Sequence, residues 1–203
     1  MTALLLNLAG YAWGMLHDLA ALKGTPRVKP YLLALSGISH LASFVEATRG
    51  PKTLNPPPLL RALCMVIAPL GWCAMVYSIM IEIPFRKGWI NEGHTDQIVT
   101  TGTYSLARHP GVIWFSFAVI ATAIATRSKK MLLAAPIMIA GDVAHVTFQE
   151  QAVLTNVFGD EYREYQRTTP FLVPTVASFT KFVQTLARAE QRSPEHRPED
   201  TSR

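Results

Sequence analysis

The sequence predicts an all-α integral membrane protein: a polytopic bundle of about five transmembrane helices, with a C-terminal helical hairpin and an interfacial amphipathic segment. Apolar residues make up 49% of the 203-residue chain and charged residues only 16%, whereas soluble domains carry about 25% charge. The mean hydropathy is positive, at +0.19. The charged residues also lie mainly between five apolar stretches, which is typical of a chain that crosses a membrane several times.

The five predicted spans are residues 3–21, 31–47, 59–83, 111–126 and 131–149. About 20 mostly apolar residues cross a bilayer as a helix, and about 17 is the lower limit. The second and fourth spans are short, so they need flanking residues to complete the crossing. The first span lacks a basic leader and a clear cleavage site, which favours a retained helix over a cleaved signal peptide.

Proline residues mark the starts of several spans. Pro30, Pro58 and Pro110 stand at or just before predicted helix starts, where a missing N–H group costs nothing. Only residues 127–130 join the last two spans, so these should form a tight antiparallel hairpin. Amphipathic segments are predicted at 150–166 and 175–190, and the charged tail from residue 190 onward is predicted to be disordered.

The distribution of positive charge predicts the orientation. Lys and Arg are more numerous in the 22–30 loop, the 84–110 loop and the C-terminal segment than in the loops on the opposite side. The positive-inside rule therefore places the 84–110 loop and the C-terminus in the cytoplasm. The net charge of +5 is best explained by attraction to anionic lipid head groups, since no nucleic-acid-reading motif is present. The Cys and His residues are too scattered to predict a metal site.

A composite motif follows the third span. Residues 101–110 are Thr-Gly-Thr-Tyr-Ser-Leu-Ala-Arg-His-Pro, Glu150 ends the fifth span, and residues 158–165 are Phe-Gly-Asp-Glu-Tyr-Arg-Glu-Tyr. This order resembles the C-terminal core of the isoprenylcysteine carboxyl methyltransferase family and its phospholipid methyltransferase relatives. Those proteins are integral membrane enzymes that use S-adenosylmethionine. The resemblance covers roughly residues 94 to 174.

The resemblance divides the chain into three parts. Residues 1–90 are the N-terminal transmembrane helices, 91–174 the methyltransferase-like core, and 175–203 a C-terminal segment. The cofactor-binding residues that it implies are Ile98, Val99, Gly102, Tyr104, Arg108, His109, Pro110 and Glu150. In the family, the residues that correspond to Ile98, Val99, Gly102 and Tyr104 wrap the cofactor. Glu150 takes the place of the first of two adjacent acids and is expected to accept hydrogen bonds from the ribose hydroxyls or the amino group.

Several of these residue types suit such a site for physical reasons. Gly102 lets the backbone turn close to a ligand without a Cβ clash. The free N–H groups of the helix that starts at Pro110 favour an anionic group such as the cofactor carboxylate. Arg108 either pairs with that carboxylate or extends to lipid head groups. Taken alone, Tyr104 and His109 are more typical of a solvated membrane interface than of a cofactor site.

A polar face interrupts the fifth span. Asp142, His145 and Gln149 are spaced i, i+3 and i+7, so they share one side of a helix. Ionisable groups inside a span are costly and usually face a cavity or a partner. Asp142 and His145 therefore either line a substrate pocket leading from the cofactor to the acceptor or make structural pairs. The candidate partners on the first two spans are His17, Asp18, His40 and Glu46.

Three positions depart from the family pattern. Val112, Trp114 and Gln151 stand where the family has Tyr, Gly and a second acid.

The prediction is a membrane S-adenosylmethionine-dependent methyltransferase that acts on a lipophilic carboxylate, amine or other small nucleophile. One alternative is an NADPH-dependent sterol-type reductase, although residues 111–114 lack the pattern usual there. The other is a non-catalytic membrane protein that retains the scaffold, which the three departures favour.

Overall fold

The computed structural model describes residues 1–25, 27–83 and 97–191, and all regular structure in these ranges is helical. The α-helices are α1 Thr2–Leu22, α2 Lys29–Thr48, α3 Pro58–Val76, α4 Pro110–Ala125, α5 Lys129–Gln149, α6 Thr155–Thr168 and α7 Val176–Gln191. A π-helix, Tyr77–Glu82, continues α3, and another, Glu150–Leu154, joins α5 to α6. A 3-10 helix, Gly102–Ser105, precedes α4. The predicted all-α class is confirmed for the described residues.

Each predicted span coincides with a helix to within a few residues. Pro58 and Pro110 are the first residues of α3 and α4, and Pro30 is the second residue of α2. Ser128 caps α5, because its hydroxyl oxygen accepts a hydrogen bond of 3.1 Å from the Met131 N–H group. Only residues 126–128 separate α4 from α5, and the two helices pack together as the predicted hairpin.

Two helices in the described part of the chain are long and apolar enough to cross a membrane. Pro58–Glu82 has 25 residues, and an 18-residue stretch within it has a mean hydropathy of 1.9; Lys129–Thr168 has 40 residues, and an 18-residue stretch within it has a mean hydropathy of 1.6. Pro110–Ala125 is a shorter apolar helix. The count of five crossings is therefore not confirmed and stays a prediction. With 21 residues, α5 by itself reaches the length of about 20 residues that a crossing needs, so Glu150 and α6 lie beyond the crossing segment.

Small side chains fill the interior of the bundle. Helix α1 packs along α2, α3 packs along α4, and α5 contacts α1, α2 and α4. A Cβ atom on Gly71 would lie only 3.1 Å from the Ala118 backbone, so α3 and α4 approach closely. The main buried cluster is Ala3, Ala47, Phe115, Val119, Ala123, Met131, Ala134, Ala135 and Met138. Large apolar side chains such as Leu59 and Leu70 are exposed, and this arrangement suits a lipid environment.

The C-terminal segments take the predicted helical form. Residues 150–166 form the second π-helix and most of α6, which is kinked at Gly159. Helix α7 packs against the 3-10 helix and exposes Phe179 and Leu186. Within the 84–110 loop, residues 84–96 lie outside the described residues, as do residues 192–203 of the predicted disordered tail.

Candidate functional site

A cavity of about 370 Å³ lies inside the bundle, within the range of about 300–1,000 Å³ that is usual for small-molecule sites. Its wall is mainly apolar and is formed in part by Phe44 on α2, Trp72 on α3 and Phe115 on α4. Polar side chains lie at two places along this wall. One group centres on Arg108 and His109, and the other centres on Asp18 and His145.

The first polar group is held by Glu150, which is 7% exposed. Its Oε1 atom accepts hydrogen bonds from Arg108 Nε at 2.8 Å, His109 Nε2 at 2.8 Å and the Tyr162 hydroxyl at 2.9 Å. Its Oε2 atom accepts from Gln166 Nε2 at 2.9 Å and Arg108 Nη2 at 3.3 Å. A carboxylate offers about four acceptor positions, so protein donors occupy the whole group.

The return of the chain after α6 completes this arrangement. Tyr162 and Gln166 are four residues apart on α6, so they reach Glu150 from one helix face. The segment after α6 then passes beside Arg108. Arg108 Nη1 donates to the Thr169 carbonyl at 2.8 Å, and the Arg108 N–H group donates to the Pro170 carbonyl at 2.9 Å. This crossing buries the Arg108–Glu150 pair.

The environment keeps Glu150 charged and Tyr162 neutral. Burial opposes ionisation of Glu150, but hydrogen bonds from His109 and Arg108 outweigh it and lower the pKa of the carboxyl to about 2. Burial and the Glu150 charge raise the pKa of the Tyr162 hydroxyl above its ordinary value of 10.0. At neutral pH Tyr162 is therefore a hydrogen-bond donor to an ionised carboxylate.

The eight predicted cofactor-binding residues do not all reach the cavity. Those that line it are Ile98, Val99, Tyr104, Arg108 and His109. Pro110 is buried in the first turn of α4. Glu150 does not line the cavity, but it forms hydrogen bonds to Arg108 and His109, which do. Gly102 begins the 3-10 helix with a φ of +59°, and it packs against the Glu82 carboxylate instead of the cavity.

Glu82 is a site residue that the sequence analysis missed. Its carboxylate accepts hydrogen bonds from the Thr103 N–H group, at 2.9 Å, and from the Thr103 hydroxyl. Gly102 leaves the space that this carboxylate occupies. The π-helix after α3 thus fixes the loop that carries Tyr104. A single polar residue at the end of an apolar span was the only available signal.

Tyr162, Tyr165 and Gln166 were also missed as site residues. The tyrosines belong to the 158–165 motif, which was their sequence signal, whereas Gln166 had none. The Tyr165 hydroxyl donates to the Tyr104 carbonyl at 2.6 Å, and the Tyr104 hydroxyl donates to the Ser78 carbonyl at 3.2 Å. Burial raises the pKa of both phenols, so they remain neutral donors. They attach the 3-10 helix to α6 and to the π-helix that continues α3.

The second polar group joins α1 to α5. The Asp18 carboxylate accepts hydrogen bonds from His145 Nε2 at 3.1 Å and Gln149 Nε2 at 3.0 Å, and His17 Nδ1 lies 3.2 Å from it. Asp18, His145 and Gln149 also line the cavity. The sequence left open whether His145 lines a pocket or makes a structural pair, and in the structure it does both. Asp142 lines the cavity and makes no hydrogen bond within the described residues.

The other candidate partners lie elsewhere. His40 lines the cavity, and its Nδ1 atom lies 3.2 Å from Asn7 Nδ2. Glu46 pairs with Lys130 at 2.6 Å on the surface and is remote from the polar face of α5. No group of three His, Cys, Asp or Glu side chains suited to a metal ion occurs in the described part of the chain.

Three glycines make room for the rings of the second group. A Cβ atom on Gly10 would lie 2.7 Å from the His40 ring, and one on Gly14 would lie 2.9 Å from the His145 ring. A Cβ atom on Gly141 would lie 2.6 Å from the Tyr11 ring. These distances are too short for an ordinary contact, so each ring needs its glycine.

The three departures from the family pattern have different surroundings. Val112 is buried and lines the cavity, where a tyrosine would take up space. The Trp114 indole N–H is buried and has no hydrogen-bond partner within residues 1–25, 27–83 and 97–191. Gln151 is exposed and takes no part in the cavity.

Residues 62–161 match the family model described as phospholipid methyltransferase. The matched range begins in α3 and ends in α6, so it contains Arg108, His109, His145 and Glu150. Asp18 lies before it. No curated protein and no solved structure matches the chain.

Proposed function

Because residues 62–161 belong to the phospholipid methyltransferase family, we propose that this chain is an integral membrane methyltransferase that uses S-adenosylmethionine and acts on a lipophilic acceptor. The family assigned from the motif is confirmed, and it indicates a membrane methyltransferase. The cofactor, the class of acceptor and the orientation are our proposal. The observation that carries it is a cavity that is lined both by five residues of the cofactor motif and by an apolar wall.

The polar end of the cavity suits the cofactor. Arg108 and His109 present positive or hydrogen-bonding groups, and Gly111 in the first turn of α4 also lines the cavity. A helix N-terminus favours an anionic group, so the amino acid carboxylate of the cofactor fits there. Ile98 and Val99 provide an apolar surface for the base. A bound sulfonium cofactor supplies an activated methyl group, and the protein contributes mainly alignment.

We propose a role for Glu150 other than the expected one. Its acceptor positions are occupied by Arg108, His109, Tyr162 and Gln166, which leaves no free position for ribose hydroxyls. Glu150 therefore acts as a positioning residue that orients Arg108 and His109 towards the cavity.

The apolar wall suits the acceptor. Phe44, Trp72, Met75 and Ile79 offer a surface for an alkyl chain or a ring system. A lipid-soluble molecule buries apolar area there while its reactive group stays near the polar residues. We also place the Arg108 side of the bundle and α7 in the cytoplasm, in accordance with the distribution of Lys and Arg.

The test is calorimetric titration of the detergent-purified full chain with S-adenosylhomocysteine. We expect binding by the wild type, with affinity lowered about tenfold by Glu150→Gln, which corresponds to about 1.4 kcal/mol. The matched control is Glu164→Gln, since Glu164 is exposed and its carboxylate forms a surface pair with Arg167. Its affinity should equal that of the wild type. His109→Gln is a second variant, and thermal unfolding checks that each protein is folded.

Other outcomes would redirect the proposal. Binding of NADPH, and not of S-adenosylhomocysteine, would favour the reductase. Binding of neither compound by folded protein would favour a non-catalytic membrane protein. Equal losses in Glu150→Gln and Glu164→Gln would show that the Glu150 cluster is not part of the cofactor site.

A further inference from the structure

The second polar group has a chemistry that cofactor binding does not require. We propose that His145, positioned by Asp18, takes the proton from an acceptor whose nucleophilic atom is an N–H nitrogen or an O–H oxygen. This inference rests on the proposed methyltransferase function. It narrows the acceptor to an amine or a hydroxyl compound and excludes a free carboxylate.

The pairing of Asp18 with His145 fixes one nitrogen of the imidazole. An ionised carboxylate only accepts hydrogen bonds, so His145 Nε2 carries the hydrogen in its 3.1 Å contact with Asp18. In a neutral imidazole the lone pair is then on Nδ1. His145 lines the cavity, and its Nδ1 atom makes no hydrogen bond within the described residues. A carboxylate that orients a histidine in this way is a recurrent arrangement for a general base.

Asp142 supplies an independent observation. It stands three residues before His145 on α5, lines the same cavity and receives no hydrogen bond within the described ranges. A carboxylate without a donor in a mainly apolar setting is costly. An N–H or O–H group of a ligand would satisfy it. A carboxylate ligand would instead meet both Asp142 and Asp18, and like charges brought together are unfavourable.

The two polar groups are close enough to serve one reaction. His145 lies five residues before Glu150, which is about 7.5 Å along a helix axis. Both groups border the same cavity. An acceptor held beside His145 and Asp142 is therefore near a cofactor held beside Arg108 and His109.

The step balances in atoms and charge. The lone pair of the acceptor nitrogen or oxygen forms a bond to the methyl carbon of a sulfonium donor. The carbon–sulfur bond breaks, and its electron pair stays on sulfur. The acceptor proton passes to His145 Nδ1. The positive charge that leaves sulfur is then on the imidazolium, where the carboxylates of Asp18 and Asp142 stabilise it.

The titratable groups close to His145 contribute to any pH dependence of the methyl-transfer rate. Those on α1 are Tyr11, His17 and Asp18, the one on α2 is His40, and the one on α5 is Asp142. The test therefore changes His145 and Asp18 separately. Asp160→Asn is the matched control for Asp18→Asn, because the Asp160 side chain is 95% exposed on α6.

The first experiment separates this inference from the proposed function. Wild type, His145→Gln, Asp18→Asn and Asp160→Asn are titrated with S-adenosylhomocysteine, and all four should bind it equally. Methyl transfer from labelled S-adenosylmethionine to 4-hexylbenzylamine, 4-hexylphenol and 4-hexylbenzoate is then followed between pH 5 and 9.

We expect the wild type to methylate the amine or the phenol, with a rate that falls at acid pH. His145→Gln should lower kcat/KM about 100-fold and remove the part of that fall that protonation of the acceptor itself does not explain, because general-base catalysis contributes about 100-fold or more. Asp18→Asn should lower the rate in the same direction, and Asp160→Asn should not. Transfer to the benzoate alone would overturn the inference. So would an unchanged pH profile in His145→Gln.

A second measurement needs neither cofactor nor turnover. The same three compounds are titrated into the protein in phosphatidylcholine nanodiscs, with empty nanodiscs as the blank. Arg108 and His109 border the same cavity and offer the benzoate a site of their own, so the test compares variants for one ligand at a time. Asp142→Asn should weaken binding of the amine about tenfold and should not weaken binding of the benzoate, because only the amine is attracted to the Asp142 carboxylate. Equal amine affinity in the wild type and Asp142→Asn, or no binding of amine or phenol, would overturn the inference.

Discussion

Gln149 and Glu150 are consecutive in the chain, but their side chains belong to the two different polar groups of one cavity. Gln149 Nε2 donates to Asp18 at 3.0 Å, whereas Glu150 accepts from Arg108 Nε at 2.8 Å. The backbone changes from α-helix to π-helix at this point, as often happens at functional sites. The proposed cofactor end and acceptor end are therefore fixed to each other by one peptide unit.

Acid should reduce the contribution of Glu150 to stability. The pKa of its carboxyl is about 2 in the folded protein, against an ordinary value of 4.5. A lowered pKa stabilises the fold above pH 4.5, and this stabilisation is lost as the pH falls from 4.5 towards 2. We expect Glu150→Gln to destabilise the protein by about 2 kcal/mol at pH 7 and by less at pH 3. Thermal unfolding of both proteins across this range measures the difference, and a difference that stays constant would contradict the assignment.

Tyr162→Phe should destabilise the fold through one lost hydrogen bond. The Tyr162 ring is buried, and its hydroxyl donates to Glu150 at 2.9 Å. Hydrogen bonds to charged groups contribute about 1.5–3 kcal/mol, so we expect a loss near the lower value because the ring remains in place. The control is Tyr31→Phe, since Tyr31 is 72% exposed. Unfolding temperatures in detergent that shift equally in the two variants would rule out this role.

Gly102→Ala should disturb the loop that carries Tyr104. Gly102 has a φ of +59°, and an added Cβ atom would collide with the Glu82 carboxylate that holds Thr103. Gly24 is a matched control because its φ is +63° and no atom lies within 4 Å of an added Cβ. Both alanines incur strain of about 1 kcal/mol. Only Gly102→Ala should also weaken S-adenosylhomocysteine binding. Equal affinities in the two variants would separate Gly102 from the cofactor site.

Cysteine labelling should determine the orientation. The native Cys64 and Cys73 are first replaced by alanine, and single cysteines are then introduced in place of Lys23, Thr53 or Asp160. An impermeant maleimide added to sealed right-side-out vesicles should label Thr53→Cys directly. The other two should react only after permeabilisation, because they lie on the predicted cytoplasmic side. Direct labelling of both Lys23→Cys and Thr53→Cys would show that α2 does not cross the membrane, and direct labelling of Lys23→Cys and Asp160→Cys without Thr53→Cys would reverse the orientation.

The helices were predictable because their signals are local. Proline at the first turn of α3 and α4 and continuous apolar stretches set their limits, and the structure follows them closely. The composite motif also predicted that Arg108, His109 and Glu150 are parts of one site, and the structure places these three side chains in contact.

The partners of these side chains were not predictable, because they come from segments far apart in the chain. Tyr162 and Gln166 reach Glu150 only because the π-helix and the kink at Gly159 turn α6 back towards α4. Periodicity within one helix contains no information about such a return. The sequence also could not decide whether His145 lines a pocket or makes a structural pair. In the structure one imidazole nitrogen bonds Asp18 and the side chain also lines the cavity.

The glycines under the rings restrict how this protein can change through evolution. Gly10, Gly14 and Gly141 leave the space that His40, His145 and Tyr11 occupy. Replacing a ring alone leaves a void, and replacing its glycine alone creates a clash. Each ring and its glycine should therefore be inherited as a pair. A homologue that has lost one member should also have lost the other, and with it the polar interior that distinguishes this cavity.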